Sequence, residues 1–415
     1  MVQPADRQAA LGRSSRGRAG RRVPVVAAAH PRAVVPSLRR RPAGGIVVRV
    51  LLVGDYPPPY GGIAVHLQHL TRTLPQEGIA CRVLNIGPNR RVPNPEYEAV
   101  RGPAEFLRRL IQYGRAGYLL HLFTNGENRK SWMLALLVGL AGRIMRTPTV
   151  VTITSGGAPG YLGSAGSWIR FIARWAIVLP AAVVCRTEAI ADAMRRWRPG
   201  DLSVIPAFSP TRLRPAERPP QDVVAFASAH GPLLVSVAIL RSEYDLPTLL
   251  QAFRDLRKQH PAAGLVIVGG GQDEARVREL IELWQLGDAV LLTGWVTHET
   301  CLAIIRESDV FVRTTLYDGD ASSVREALAL GVPVVASRTA FRPTGPILFT
   351  PGDPDGLHAA LVETLAVGGA RRRASLAAPP ASDEPLVALY RSLSPVSARV
   401  PAGRRGGARL SRKAS

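Results

Sequence analysis

The feature that most constrains the fold is an alternation of short apolar segments and amphipathic segments that runs along the chain twice. Val47–Val53 is rich in Val and Leu and predicts a buried strand, and Ile63–Leu74 has apolar residues at helical spacing. The same pattern restarts at Leu233–Val237. Strands that alternate with helices form parallel sheets covered on both faces. We therefore predict the α/β class, with two Rossmann-like domains in a chain of 415 residues.

Proline content sets the expected domain boundary. Five prolines stand between Pro206 and Pro220, where the alternation breaks off, and such a segment is typical of a linker. We predict an N-terminal domain at 46–205, a linker at 206–230 and a C-terminal domain at 231–370. Residues 371–395 are interpreted as a loop and a last helix that docks back onto a domain.

The net charge of +22 is concentrated at the two ends of the chain. Residues 1–45 carry +9 and residues 396–415 carry +6, which leaves +7 for the rest. Both segments are poor in large apolar residues, so we predict disordered basic tails. Such tails are either solvated or bind nucleic acid or anionic lipid. For residues 1–45 there is another interpretation, that the start of translation has been placed too early and this segment does not belong to the protein. The rest shows no nucleic-acid motif, so no specific nucleic-acid partner is expected.

Cysteine usage and hydropathy point to a cytoplasmic protein. Cys81, Cys185 and Cys301 are far apart and in no metal-binding spacing, which favours a reducing compartment. The basic start lacks the apolar segment of a secretory signal. The longest apolar runs, Met133–Gly142 and Ala176–Cys185, are about half as long as a transmembrane helix.

The segment richest in possible chemistry is Tyr317–Ser337. A predicted strand is followed by a loop of small residues, and a helix begins near Ser323. The N–H groups and dipole of a helix start form an anion site. Asp318 lies at the loop mouth, where it can meet sugar hydroxyls, and Glu326 lies where it can accept from two ribose hydroxyls. The alternative is an ordinary capped helix, with Ser322 or Ser323 as the cap and Glu326 closing a capping box.

This block resembles the signature of glycosyltransferase family 4, whose members have the GT-B fold. The family pattern reads roughly E-G-F-G-L-P-x-x-E-A-M-A-x-G-x-P-V-V-x-S, and Asp318 and Glu326 fall on its two acidic positions. The resemblance covers roughly residues 48–395. It implies two Rossmann-like domains with parallel sheets facing a central cleft, the N-terminal one for the acceptor and the C-terminal one for the nucleotide sugar. The loop residues implied to bind the donor are Gly319, Asp320, Ala321, Ser322 and Ser323.

Glycine turns extend the resemblance to both halves of the chain. Gly61-Gly62 resembles the family's N-terminal glycine loop, which approaches the donor phosphates and the acceptor. Gly269 stands in a turn similar to the family's V-G-x-G. Trp295 and Val296 follow a strand end similar to T-G-x-V, where backbone groups hold the base. The resemblance therefore implies that these residues contact the nucleotide sugar.

The sequence departs from the family where the donor diphosphate is neutralised. The family places an Arg and then a Lys after the first strand of the C-terminal domain, whereas Ile239 and Tyr244 take these positions here. Arg241 lies two residues after Ile239, and a guanidinium suits bidentate phosphate binding. Arg241 is therefore either a catalytic substitute or an ordinary surface arginine. Arg325 is a second candidate for the diphosphate.

A second departure concerns the reacting centre. Family members often carry a His after the strand that corresponds to Val150–Ile153, and Thr154 stands in its place. The resemblance thus makes Thr154 a candidate catalytic residue. His121 ends the preceding predicted strand and is either structural or a partial replacement. His66 and His69 lie on the first predicted helix and are expected to form a solvated face.

Two predicted helices of the N-terminal domain combine apolar and basic residues. The predicted helix Ser131–Met145 has Arg129 and Lys130 before it and Arg143 and Arg146 around its end, and the predicted helix Trp168–Leu179 includes two Trp and two Arg. Such helices suit docking on an anionic membrane, or they are core helices with Arg at the solvent edge. Peripheral contact with the inner face of a membrane thus stays open beside a cytoplasmic location. The polar loop 124–130 is a candidate contact for an acceptor or for an anionic headgroup.

The resemblance implies a retaining, hexosyltransferase-type enzyme that moves a sugar from a nucleoside-diphosphate sugar to a hydroxyl of a glycan, polysaccharide or glycolipid precursor. We expect no required cofactor and no metal, because the sequence shows no metal-ligand cluster. The altered positions Ile239, Tyr244 and Thr154 leave two alternatives open. One is a degenerate, non-catalytic nucleotide-sugar-binding protein, and the other is a sugar-nucleotide epimerase of the same fold.

Overall fold

The computed structural model describes residues 48–200, 202–206, 208, 213–339, 341–371 and 384–394. The predicted tails at 1–45 and 396–415 lie outside these residues, and so does most of the predicted loop before the last helix. The described residues form two halves, each built on a six-stranded parallel sheet. The predicted α/β class with two Rossmann-like domains is therefore confirmed.

The N-terminal sheet has the strand order β2-β1-β3-β4-β5-β6. Its strands are β1 (Val48–Gly54), β2 (Ile79–Asn85), β3 (Leu119–Thr124), β4 (Thr149–Ile153), β5 (Ala182–Cys185) and β6 (Leu202–Val204). Side chains alternate between two cores, since Leu51 and Val53 face one core and Val50 and Leu52 face the other. Burial on both faces explains why the central strands are apolar throughout.

Helices cover both faces of this sheet. They are α1 (Gly62–Thr73), α2 (Pro103–Arg115), α3 (Arg129–Met145), α4 (Ala158–Ser164), α5 (Ser167–Val178) and α6 (Glu188–Arg195). Helices α2 to α6 bury their apolar sides in one core, whereas α1 packs in the core on the opposite face. The helices α3 and α5 are direct neighbours.

The C-terminal sheet has the strand order β12-β11-β10-β7-β8-β9. Its strands are β7 (Leu233–Val237), β8 (Gly264–Val268), β9 (Val290–Gly294), β10 (Val310–Arg313), β11 (Val334–Ser337) and β12 (Ile347–Phe349). Its helices are α7 (Gln221–Ala229), α8 (Leu246–Leu256), α9 (Glu274–Leu283), α10 (His298–Arg306), α11 (Ser322–Ala329) and α12 (Pro354–Arg371). The helices α8, α9 and α12 pack on one face, and α7, α10 and α11 on the other.

Three of these elements were missed by the sequence analysis. Helix α4 begins Ala-Pro-Gly, which reads as a turn. Helix α7 lies inside the range predicted as a linker, and it buries Val223 in the C-terminal core. Strand β12 has only three residues. Part of the range 206–230 is thus ordered and belongs to the C-terminal half, which corrects the prediction of a linker there. The two prolines that precede α7 hid this helix in the sequence.

The last helix, α13 (Glu384–Leu393), returns to the N-terminal half. It buries Leu386, Val387 and Tyr390 in the core that α1 shares with the sheet. The hydroxyl of Tyr390 lies 2.5 Å from Nδ1 of His121, which is fully buried. A specific polar contact therefore adds to the apolar packing of this helix.

The two halves approach each other where the strands end. A Cβ atom added to Gly156 would lie 2.1 Å from the carbonyl oxygen of Asp318. On another side, Nη1 of Arg72 lies 2.8 Å from Oε1 of Glu299. Ligands of open α/β sheets bind beyond the carboxyl ends of the strands, and that edge is where the two halves meet here.

Candidate functional site

One cleft between the two halves brings the predicted site residues together. It has a volume of about 500 Å³, which suits a small-molecule ligand. Its lining includes these residues with a predicted catalytic or donor-binding role: Gly61, Gly62, Thr154, Arg241, Gly269, Trp295, Val296, Asp318, Gly319, Asp320, Ala321, Ser322, Ser323 and Glu326. The structure shows their common position, while their roles remain predictions.

The start of α11 forms one wall of the cleft. Its N-cap is Ala321, and no side chain caps the helix. The interpretation of Ser322 or Ser323 as the cap of a capping box is therefore wrong. Both serines line the cleft, and N–H groups of a first helical turn have no acceptor inside the helix. An anionic group in the cleft can accept from them.

Asp318 is held by four hydrogen bonds. Its Oδ2 accepts from Arg313 Nε at 3.0 Å, from Arg342 Nη1 at 3.1 Å and from the Thr315 hydroxyl at 3.0 Å. Its Oδ1 accepts from the N–H of Gly319 at 3.1 Å. Burial opposes ionisation of this carboxyl, but Arg313 and Arg342 outweigh it and lower the pKa of Asp318 below its usual value. Asp318 is therefore an ionised carboxylate with a fixed orientation.

Asp320 and Arg325 form a second buried ion pair. Nε of Arg325 donates to Oδ1 of Asp320, and both side chains are nearly inaccessible to solvent. The guanidinium of Arg325 also lies 5.5 Å from the ring centroid of Phe341. Arg325 was the second candidate for the diphosphate, and this pairing turns it away from that role. The Asp320 carboxylate is likewise committed to its arginine.

Glu326 lies against a histidine that the sequence analysis did not single out. Nε2 of His298 lies 3.0 Å from Oε1 of Glu326, and only 14% and 5% of the two side chains are exposed. His298 is the first residue of α10, whose N-cap Thr297 accepts from the N–H of Thr300. The sequence signal that could have identified His298 as a site residue is its position at a helix start, two residues after Val296. The contact holds the carboxylate of Glu326 in place at the cleft.

The turn after β8 depends on glycine. Gly269 has a φ of +130°, and an added Cβ would lie 1.9 Å from the carbonyl oxygen of Ala238. Trp295 covers this turn, because a Cβ on Gly270 would lie 2.7 Å from its Nε1. Trp295 is nevertheless 40% exposed, and it lines the cleft. An exposed aromatic face beside a close backbone turn suits stacking with a planar ring.

Two arginines reach the part of the cleft where the family's Arg and Lys are missing. The side chain of Arg241 is about half exposed, and its Nη1 lies 3.7 Å from Oε1 of Glu243. Arg313 is buried and donates to the carbonyl of Val237 at 2.8 Å. Its guanidinium lies 4.8 Å from the ring centroid of Tyr244, the residue at the family's Lys position. Arg313 thus adds a positive charge there, which sequence analysis missed because it ends an apolar strand.

Thr154 lies in the cleft where the two halves approach. Its hydroxyl donates to the carbonyl of Thr124 at 3.2 Å. Its own carbonyl oxygen would lie 3.0 Å from a Cβ added to Gly319. The Thr154 side chain is therefore fixed within the N-terminal half, while its backbone touches the loop that carries Asp318. Its predicted catalytic role stays a prediction.

Two histidines of the N-terminal half, His121 and His66, are buried. His121 lies 2.7 Å from the Thr152 hydroxyl through Nε2, and burial, with Arg186 nearby, lowers its pKa well below the usual value. It is thus held in the core and does not replace the missing family histidine. His66 is also buried, with its ring 5.4 Å from that of Phe123. The prediction of a solvated face is wrong for His66.

Glu127 is the carboxylate that the predicted acceptor loop places in the cleft. Its Oε1 accepts from the Ser155 hydroxyl, which in turn accepts from the N–H of Gly157 at 3.1 Å. Burial raises the pKa of Glu127, the bond from Ser155 opposes this, and Glu243 raises the pKa further. A carboxyl with a raised pKa in a cleft is a functional candidate.

In the part of the chain that the structure describes, no group of three or more His, Cys, Asp or Glu side chains is placed to hold a metal ion.

Two family models match the chain in succession. Residues 60–211 match the family described as Glycosyltransferase Family 4, and residues 222–363 match Glycosyl transferases group 1. The chain is a group 1 glycosyltransferase. The family resemblance drawn from the acidic block and the glycine turns is thereby confirmed.

This group 1 glycosyltransferase is similar to curated relatives over different lengths. It is 24% identical over 311 residues to the 2-deoxystreptamine N-acetyl-D-glucosaminyltransferase of Streptomyces fradiae, a match that covers 66% of this chain and 74% of the relative. It is 34% identical over 115 residues to the amylovoran biosynthesis glycosyltransferase AmsK of Erwinia amylovora, which covers 26% of this chain and 28% of the relative.

Solved structures share the architecture of this glycosyltransferase. The sucrose-phosphate synthase of Thermosynechococcus elongatus has a TM-score of 0.63 at 21% identity, over 83% of this chain and 99% of its own. HepE of Anabaena, solved in complex with UDP-glucose, has a TM-score of 0.59 at 15% identity, over 85% of this chain and 100% of its own. At these identities the likeness shows the fold, and the predicted GT-B fold is confirmed.

Proposed function

We propose that this glycosyltransferase moves a hexosyl group from a nucleoside-diphosphate sugar to a hydroxyl of a glycan or lipid-linked acceptor, with retention of the anomeric configuration. The observation that carries the proposal is a single cleft lined by Glu326, the start of α11 and Asp318. These three features fit a ribose, a diphosphate and a sugar, which are the three parts of such a donor. The fold likeness to HepE, solved with UDP-glucose, supports the donor class.

The nucleoside is proposed to bind beside the glycine turn. Trp295 and Val296 line the cleft next to Gly269, so the base stacks on the exposed indole and meets backbone groups of this turn. The ribose hydroxyls donate to Glu326, whose carboxylate is oriented by His298 at 3.0 Å. A prepositioned carboxylate loses little entropy on binding.

The diphosphate is proposed to lie at the start of α11. The N–H groups of Ser322 and Ser323 and the positive end of the helix dipole stabilise its charge. Arg241 is exposed enough to move onto the diphosphate, and Arg313 supplies a fixed positive charge beside Tyr244. We propose that these groups neutralise the leaving group without a metal, because electrostatic stabilisation of a leaving group needs charge placed where it develops.

The proposed reaction exchanges two bonds at the anomeric carbon. The bond to the diphosphate oxygen breaks, and the acceptor oxygen bonds to the same face of the carbon. The acceptor's proton leaves with the diphosphate, so atoms and charge balance. Asp318 orients the sugar, because its Oδ1 accepts from Gly319 and a carboxylate oxygen can accept a second hydrogen bond. Thr154, which belongs to the N-terminal half, is proposed to lie beside the anomeric carbon at the reacting centre.

The acceptor is proposed to enter from the N-terminal half. Glu127 and Asn125 line the cleft on that side, and the raised pKa of Glu127 favours a carboxyl that can exchange a proton with an acceptor hydroxyl. Gly61 and Gly62 form the wall nearest Ile239, since a Cβ on Gly61 would lie 3.7 Å from its Cδ1. These small residues leave space for an acceptor beside the donor.

The decisive test is nucleotide-sugar binding by Glu326→Ala. A thermal-shift screen of nucleoside-diphosphate sugars first identifies a donor, and calorimetry then gives its affinity. Loss of two charge-assisted hydrogen bonds of about 1.5 kcal/mol each predicts binding at least about 100-fold weaker. Glu279→Ala, which removes an exposed acid on α9, is the matched control. An unchanged affinity of Glu326→Ala would refute the donor site.

Product analysis tests the reaction itself. Incubation with the identified donor and candidate hydroxyl acceptors should give a glycoside whose anomeric proton, by nuclear magnetic resonance, has the donor's configuration. An inverted product rejects retention. Binding without any transfer identifies a non-catalytic binding protein, and conversion of the donor sugar to its epimer identifies an epimerase.

A further inference from the structure

Two neighbouring helices of the N-terminal half expose large apolar side chains along their length. These side chains are Met133, Leu137, Leu140 and Ile144 on α3, and Trp168, Phe171, Trp175 and Val178 on α5. With 3.6 residues per turn, each set of four falls within about 80° of one side of its helix. Continuous exposed apolar surface marks an interaction site rather than ordinary solvent-facing structure.

The two sets form one surface, here called the α3–α5 face. Each helix buries its opposite side in the same core, through residues such as Val138 and Ile177. Both exposed sides therefore point away from the sheet, and the helices are in direct contact. The aromatic rings are packed against each other, with centroids 5.9 Å apart for Trp168 and Phe171 and 6.4 Å for Phe171 and Trp175.

The charge along these two helices and the segment between them has one sign. No Asp or Glu stands between Asn128 and Thr187, whereas seven Lys and Arg do. Six of the seven are exposed on or beside the two helices: Arg129, Lys130, Arg143, Arg146, Arg170 and Arg174. Apolar side chains with Trp, rimmed by basic residues, complement a bilayer whose surface carries negative charge.

We propose that the α3–α5 face docks this protein on an anionic lipid surface. A symmetric pair of copies would bring the same positive charges together without any acid on this face to pair them, so lipid fits the charge better than a second copy. None of the described helices is long and apolar enough to cross a membrane. In the proposed docking, α3 and α5 lie in the plane of the interface, with the apolar side chains between the headgroups.

Docking in this way places the cleft beside the lipid. Asn125 and Glu127 line the cleft, and α3 begins two residues after Glu127. The loop that the acceptor is proposed to contact thus leads directly into the docking face. On the proposed transfer function, this placement favours a lipid-linked acceptor presented from the membrane.

Vesicle binding by the full chain tests the docking surface. The chain is expected to sediment with vesicles that contain phosphatidylglycerol and not with phosphatidylcholine alone, and added salt should weaken the binding. The double change Arg170→Gln and Arg174→Gln should weaken it about fivefold for each arginine. Brominated lipids should quench tryptophan fluorescence of the unaltered chain, and the double change Trp168→Ser and Trp175→Ser should weaken vesicle binding and reduce this quenching in the fluorescence that remains.

Matched controls keep the result specific. Leu283→Ser and Arg276→Gln remove an exposed apolar and an exposed basic residue on α9, away from the face, and should bind as the unaltered chain does. Unchanged donor affinity in calorimetry shows that the variants fold and separates this test from that of the transfer function. Binding that survives both double changes overturns the proposal. The proposal is also overturned if the double variants lose self-association, as measured by light scattering, and keep their binding to vesicles.

Discussion

At the scale of single residues, the two acids of the signature owe their orientation to basic partners. Asp318 is held by Arg313 and Arg342, and Glu326 by His298. An ionised carboxylate with fixed geometry costs little reorganisation when a sugar hydroxyl arrives.

We predict that Arg241→Ala selectively weakens binding of the diphosphate. A lost hydrogen bond to a charged group is worth about 1.5–3 kcal/mol, so the nucleoside-diphosphate sugar should bind roughly ten- to a hundredfold more weakly. The nucleoside alone should bind as before, because Trp295 and Glu326 are unchanged. Calorimetry with both ligands measures the difference.

The control for this change is Arg276→Ala, an exposed arginine on α9. Equal losses for the sugar nucleotide and the nucleoside would reject the phosphate role of Arg241. Arg313 would then remain as the charge beside Tyr244 that faces the diphosphate.

Sequence spacing identified the acids of this site and not their partners. Asp318 and Glu326 lie eight positions apart in one loop and helix, so a short pattern contains both. Arg342 follows Asp318 by 24 residues, and His298 precedes Glu326 by 28. Each of these partners stands on a different element, and only the folded sheet brings the element ends together.

At the scale of secondary-structure elements, the last helix is attached through a buried histidine. Tyr390 of α13 contacts His121, which also contacts Thr152 of β4. Its low pKa keeps His121 neutral in the folded protein. The helix, the central strand β3 and its neighbour β4 therefore share one polar network inside an apolar core.

We predict that this network makes stability depend on pH below the ordinary histidine pKa of 6.5. The unfolded chain takes up a proton as the pH falls below that value, whereas the folded chain does not. Stability present above pH 6.5 is therefore lost on acidification, by at most about 1.4 kcal/mol per pH unit. Urea denaturation over a pH series should show a shallower loss for His121→Gln.

Tyr390→Phe is the matched variant for this network. It removes one hydrogen bond and leaves His121 buried, so it should lower the free energy of unfolding by about 1–3 kcal/mol and keep the pH slope. A slope unchanged in His121→Gln would show that another group causes the acid sensitivity.

The prediction of helices and strands succeeded where the apolar pattern was strong, and it failed where the segment was short or followed prolines. The strand β7 has the predicted bounds, Leu233–Val237, because it is an isolated apolar run. Helix α7 follows two prolines and β12 has three residues, so neither leaves a periodic pattern. Only packing on the C-terminal sheet gives these segments their structure.

At the scale of the whole molecule, glycine permits the two halves to close on each other. Gly156 faces the carbonyl of Asp318 so closely that a side chain cannot be placed between them. Gly319 fits against the backbone of Thr154 and Gly156 in the same way. A closed cleft excludes water from the reacting carbon and so suppresses hydrolysis of the donor.

We predict that Gly156→Ala holds the cleft open. The added methyl would lie 2.1 Å from a backbone oxygen, so the loops must separate. Misplacing reacting groups by about 1 Å can cost roughly a hundredfold in rate. Transfer should therefore fall steeply, and a larger share of the donor should be hydrolysed, as measured from the products.

Gly163→Ala, with open space around the added methyl on α4, is the control. It should leave both the rate and the product ratio unchanged. If Gly156→Ala transfers the sugar at the unaltered rate, then the close approach of Gly156 to the Asp318 carbonyl is not needed for transfer.

The sequence by itself determined the α/β class, the two Rossmann-like halves, the family and the location of the acidic block, because periodicity and short spacings are local properties of a chain. The tertiary structure decided which arginines and histidine hold the acids, that His121 is structural, and that the aromatic side chains of α5 are exposed. These depend on distances between residues far apart in the chain, and on which side of a helix its neighbours cover.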